Sequence, residues 1–152
     1  MEDDIKILDI KMKLFNTKYK CYEKANKIDD LELKEILCDV LSWFEICLKK
    51  IDITDDKDKS IISAIRYANN MKKHSKSIFS YTLKTFALYP SNHLYPSPTL
   101  FPSIFSIYWN KLPLDNLKYK GQYNNYKNIL EGKDIYSSIN DIYQIIKKYF
   151  KN

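Results

Sequence analysis

Asp29-Asp30-Leu31-Glu32-Leu33-Lys34-Glu35-Ile36-Leu37-Cys38-Asp39-Val40-Leu41-Ser42-Trp43-Phe44-Glu45-Ile46-Cys47-Leu48 is the stretch that decides the fold. Leu33, Ile36, Leu37, Val40, Leu41, Phe44, Cys47 and Leu48 recur at steps that keep them on one face of a helix. Asp29 and Asp30 stand where a helix wants an N-cap. Upstream, Ile5, Leu8, Met12, Phe15, Tyr19 and Tyr22 trace a similar apolar seam. Two long helices with a short connection pack as an antiparallel hairpin.

Downstream, Ile53 to Asp58 reads as a turn. Its acids lack the spacing and glycine of a calcium loop and serve instead as caps and dipole partners for a third helix. That helix is expected from about Lys59 to Ser77, with Ile61, Ile62, Ile65 and Ala68 inward. Phe79, Tyr81 and Leu83 then alternate with Ser80, Thr82 and Lys84, the period of a strand. Pro90, Pro96, Pro98 and Pro102 break any helix, and Ile104 to Trp109 reads as a second strand. The proline-rich segment is thus expected to be the long loop of a two-stranded hairpin. Helix returns over Tyr119 to Glu131, with Gly132 where a helix end favours positive φ. Asp134 caps a last helix marked by Ile135, Ile139, Ile142, Ile146 and Tyr149. No internal repeat and no domain boundary stands out along the chain. The expected fold is therefore a single domain over 1–152, mainly α: an antiparallel helical bundle with a small inserted β-hairpin and a proline-rich loop.

Composition narrows the function classes. With 45% hydrophobic and 14% aromatic residues among 152, a packed core is expected rather than disorder. Gly121 and Gly132 are the only glycines, too few for a Walker or Rossmann phosphate loop. Thr85 to Asn110 carries no Asp, Glu, Lys or Arg, but its prolines, Asn92 and His93 argue against a membrane span. The start, Met1-Glu2-Asp3-Asp4, is acidic with no apolar run behind it, so a cytoplasmic location is expected. Cys21, Cys38 and Cys47 lack C-x-x-C spacing and read as reduced thiols. With only His74 and His93 available, neither close to a cysteine, no zinc site is expected, and no cofactor is implied.

Charge is divided along the chain. Residues 1–60 hold 12 Lys against 15 acids, whereas residues 61–152 hold 12 Lys and one Arg against four acids. A basic half attracts nucleic acid or another polyanion. A Lys-, Asn-, Ile- and Tyr-rich composition also follows from an AT-rich genome, which accounts for the lysines but not for the loss of acids. Of the 13 tyrosines, 11 follow residue 60 and are available either to stack on bases or to fill a half-buried core.

Arg66, the only arginine, precedes Asn70 by four residues, and Asn70 precedes His74 by four. Steps of four share a helix face, so the three form a polar stripe opposite the apolar one. For RNA cleavage the set is chemically coherent. His74 can act as acid/base on the 2′-hydroxyl or leaving group, and Arg66 can clamp a phosphate oxygen. Asn70 can orient His74 or hold the backbone of the site. Asn69, Lys72, Lys73 and Lys76 flank the stripe as expected nucleic-acid contacts. A mid-helix arginine also commonly pairs with an acid on a neighbouring helix, here Asp39 or Glu45. His74 is equally readable as a polar residue near a helix end.

Ile65-Arg66-Tyr67-Ala68-Asn69-Asn70-Met71-Lys72-Lys73-His74 resembles the signature helix of HEPN-type domains, helical proteins tied to toxin–antitoxin and phage-defence systems. Their pattern is R-N-x-x-x-H after a long helical hairpin. Asn70 and His74 match it, Asn69 stands where the arginine is expected, and Arg66 lies one turn earlier. The wider run is also similar to small Firmicutes proteins of the form R-Y-x-N-N-x-x-K-H, with a proline-rich segment and a C-terminal helix following. The resemblance implies a metal-independent endoribonuclease working as a homodimer with a composite site. The alternative it leaves, favoured by Asn69, is a non-catalytic module that binds a protein partner, an antitoxin or defence component. In that case the aromatic and proline-rich stretch from Leu88 to Phe105 is the expected docking surface.

Overall fold

The computed structural model describes residues 2–74, 76–83 and 105–151. The proline-rich segment, His93, Lys84, Ile104 and nearly all of the expected docking stretch from Leu88 lie outside the described residues. Among the described residues, five helices and one two-stranded antiparallel sheet make up a mainly α fold: α1 (Glu2–Ala25), α2 (Asp30–Leu48), α3 (Asp56–Lys73), β1 (Phe79–Thr82), β2 (Ser106–Trp109), α4 (Lys120–Ile129) and α5 (Ile135–Phe150). A 3-10 turn, Leu117–Tyr119, leads into α4.

Each helix of the leading hairpin forms where its stripe lies. The eight stripe positions of α2 are its buried residues, and Asp29 caps it by accepting from Glu32 N. In α1, Leu8, Met12, Phe15, Tyr19 and Tyr22 are buried. Lys50, just past the end of α2, pairs with Asp4 at the start of α1, whereas Lys18 late in α1 pairs with Glu32 early in α2, so the two run antiparallel.

Helix α3 differs at both ends from the Lys59–Ser77 expectation. It starts earlier because Asp55 caps it, accepting from Asp58 N at 3.0 Å. It stops at Lys73, and His74 is the C-cap, with φ −90° and ψ 22°. Ile62, Ala64, Ile65, Tyr67, Ala68 and Met71 are buried, together with one polar residue, Asn69. Ile61 is only partly buried.

β1 and β2 pair antiparallel with Phe79 opposite Trp109 and Thr82 opposite Ser106. Ile107 and Trp109 face inward and are fully buried. Trp109 N donates to Lys133 O, and Gly132 N donates to Trp109 O at 2.9 Å, stitching the sheet to the turn before α5. Gly132 holds φ +74°, a conformation that a side chain disfavours. Asp134 caps α5 by accepting from Ser137 N at 2.8 Å, and Ile135, Ile139, Ile142 and Ile146 bury its apolar stripe. Tyr126 of α4 completes the core against Trp109 and Tyr67. Among the described residues no helix is long and apolar enough to cross a membrane.

Candidate functional site

Asn69 is 6% exposed, so it must direct its amide to a partner. That partner is Glu45 on α2: Asn69 Nδ2 donates to Oε2 at 2.9 Å. Lys73 Nζ grips the same carboxylate, at 2.8 Å from Oε2 and 3.0 Å from Oε1. The hydrogen bond from Lys73 holds Glu45's carboxyl below its ordinary 4.5, against the opposing pull of burial. Asn69 Oδ1 stays buried without a hydrogen-bond partner among the described residues.

Glu45 is thereby engaged by Asn69 and Lys73, and Asp39 by Lys11 at 2.7 Å. Neither acid pairs with Arg66. The guanidinium is exposed and forms no ion pair among the described residues. It sits where two shallow grooves meet. One, about 240 Å³, is lined by Arg66, Asn69, Asn70 and Lys73 of α3, facing Glu45 and Lys49 of α2. Tyr119 and Gln122 close its third side. The other, about 310 Å³, continues past Arg66 to Lys59 and Ser63, with Asp52 as its acid. Lys59, Ser63, Arg66, Asn70 and Lys73 follow one another at alternating steps of four and three, so one face of α3 walls both grooves. That wall runs about 21 Å at 1.5 Å per residue. Lys49 and Lys59, like Arg66, have no ion-pair partner among the described residues.

The expected residues therefore separate into three places. Arg66, Asn70, Asn69 and Lys73 share the groove. Lys72 and Lys76 line a different cavity, between α2, α3 and β1. His74 lines neither, and caps the end of α3 in solvent. It stands eight residues beyond Arg66, roughly 12 Å along the axis, so a single phosphate does not meet both. Lys49, Lys59 and Gln122 escaped the sequence reading. Lys49 stands one turn beyond Glu45 on α2, a spacing visible in the sequence once Glu45 is placed. Gln122 arrives through the packing of α4 on α3, which no local pattern encodes. Among the described residues no cluster of three or more His, Cys, Asp or Glu is placed to hold a metal ion.

The geometry of Glu45 carries a pH prediction. Its folded pKa is lowered, so its stabilisation is present above the ordinary value of 4.5 and is lost as pH falls through the lowered folded value. Thermal unfolding midpoints should drop on acidification below about pH 4.5, and Glu45→Gln should flatten that part of the slope. Because Lys73 is half in solvent, the cost of the variant at neutral pH should stay below about 1 kcal/mol. An identical acid slope in the two proteins would show that the α2–α3 clamp contributes nothing.

The polar face of α3 can thus accept anionic groups at Arg66, Lys49 and Lys59, the cations that have no ion pair among the described residues, whereas Lys73 and the Asn69 amide are taken by Glu45. No protein-family model, curated protein or solved structure matches this chain.

Proposed function

We propose that this chain is an RNA-associated, HEPN-like domain of the toxin or phage-defence type, which holds RNA by its phosphates along the outer face of α3. The observation that carries this reading is Arg66 at the junction of two grooves, with the ammoniums of Lys49 and Lys59 on either side, all three without an ion pair among the described residues. A guanidinium matches phosphate geometry, and a row of cations follows a backbone rather than a single ion. Tyr119 at the groove edge offers a ring on which a base can stack. The reduced thiols of Cys21, Cys38 and Cys47 fit a cytoplasmic setting.

Binding has more support than cutting. His74 stands outside the groove, and Asn69, at the position where the HEPN pattern has arginine, is turned to Glu45. A metal-independent endoribonuclease on this scaffold needs the His74 of a second copy brought beside Arg66, so cutting is expected only from a homodimer with a composite site. The engagement of Asn69 favours a second reading, a non-catalytic module that works by capturing an antitoxin or defence protein.

The test is binding of unstructured RNA by the intact chain across a salt series. Three phosphate contacts predict that log K falls with log salt with a slope of about −2. His74→Ala should leave this binding unchanged. No binding at low salt ends the RNA reading. RNA cutting that His74→Ala abolishes would establish the dimeric enzyme, and cutting that survives the change would not belong to this site.

A further inference from the structure

Between α2, the end of α3 and β1 lies a cavity of about 550 Å³, on a different side of α3 from the Arg66 groove. Its walls are apolar: Leu37 of α2, Ile78, and Phe79 of β1. Leu31, 80% exposed, stands at its rim. Three lysines also line it, Lys34, Lys72 and Lys76. Asp30 is the single acid among the described residues that line it, and that carboxylate accepts from Tyr81 Oη at 3.2 Å.

Lys72 is the telling group. Its Nζ donates to Cys38 O and to Ser42 Oγ, both at 3.2 Å and both neutral. No carboxylate pairs with it among the described residues. Burial lowers its pKa from the ordinary 10.5 of a lysine, as expected of a cation moved from water without a counter-charge. Lys34, one turn before Cys38 on α2, and Lys76 line the same cavity, so three ammoniums border one set of apolar walls. An anion in the cavity would give Lys72 the counter-charge it lacks among the described residues and offset the cost of its burial.

We propose that this cavity binds an amphipathic carboxylate, its head group held by Lys34, Lys72 and Lys76 and its aromatic or acyl body laid against Leu37, Ile78 and Phe79. The volume falls in the range of small-ligand pockets, and apolar walls with a few convergent polar groups are their usual build. A nucleic-acid backbone is disfavoured here because its repeated phosphates leave the apolar walls unused. The site is independent of the RNA groove: neither Arg66 nor Lys49 lines it.

Calorimetric titration of the intact chain with 2-naphthoate and with dodecanoate tests this, each against a neutral counterpart, 2-naphthamide and dodecanol. The carboxylates should bind about tenfold more tightly than the neutral compounds. Lys72→Met keeps the apolar stem and removes the charge, and should cost about tenfold in carboxylate affinity with no change for the neutral probes. If that variant fails to fold, Lys34→Gln and Lys76→Gln serve the same end, since both side chains are exposed. Arg66→Glu should leave binding unchanged. Equal affinity for charged and neutral probes, or no binding of either carboxylate, would overturn the proposal. So would a concentration-dependent dimer in sedimentation that Lys72→Met abolishes, because the occupant would then be a second copy.

Discussion

Trp109→Ala should lower the stability of the chain by about 3–5 kcal/mol, a large share of the roughly 5–15 kcal/mol that folds a domain. The indole is fully buried at the point where β2, α4 and α5 meet. It packs edge-on to Tyr126 with ring centroids 6.5 Å apart, and its backbone makes both hydrogen bonds to the Gly132–Lys133 turn. Those backbone bonds survive the substitution, so the loss comes from the vacated volume. Nε1 has no partner among the described residues. Trp109→Phe removes that orphaned donor along with part of the ring, and should therefore cost much less than alanine. Urea unfolding followed by helical circular dichroism is the measurement. An unchanged midpoint for Trp109→Ala would show that this corner does not hold the sheet to the bundle.

For Arg66→Glu the second large effect is expected: RNA affinity falls by roughly tenfold to hundredfold at moderate salt. The change removes a cation at the groove junction and sets a carboxylate beside Glu45 and Asp52, so electrostatic repulsion adds to the lost contact. The salt slope should become shallower by close to one contact's worth. The fold should be unaffected, because Arg66 is exposed and supports no ion pair among the described residues. Equal affinity of variant and parent across the salt series would remove Arg66 from the interface and with it the observation on which the RNA reading rests. Loss of binding accompanied by a lowered melting temperature would show instead that the guanidinium is structural.

The site was partly legible before any coordinates. Arg66, Asn69 and Asn70 could be placed together because helical spacing is a local property, and they do share a groove. Lys72 and Lys73 look equivalent in the sequence, yet successive residues on a helix point about 100° apart. One accordingly reaches Cys38 and Ser42 and the other Glu45, at successive places along α2, and they line different cavities. His74, at the C-cap of α3, stands two steps of four beyond Arg66, and each such step overshoots a full turn by about 40°, so it lies well round the helix from Arg66 as well as farther along it.

The chain's own pattern was enough for the existence of the helices, the caps at Asp29 and Asp134, the turn at Gly132 and a strand on either side of the prolines, but not for the ends of α3, nor for the face of β1, where Tyr81 and, just beyond it, Leu83 are exposed. The former depend on residues within a few positions of one another, so backbone geometry and burial of a periodic stripe settle them. What needed the tertiary structure was every pairing across elements: Glu45 with Asn69 and Lys73, Asp39 with Lys11, and an arginine without an acid among the described residues. Charge pairs between helices depend on how far each helix is rotated and shifted when its apolar face packs. That choice is made by the core as a whole, and no window of sequence contains it.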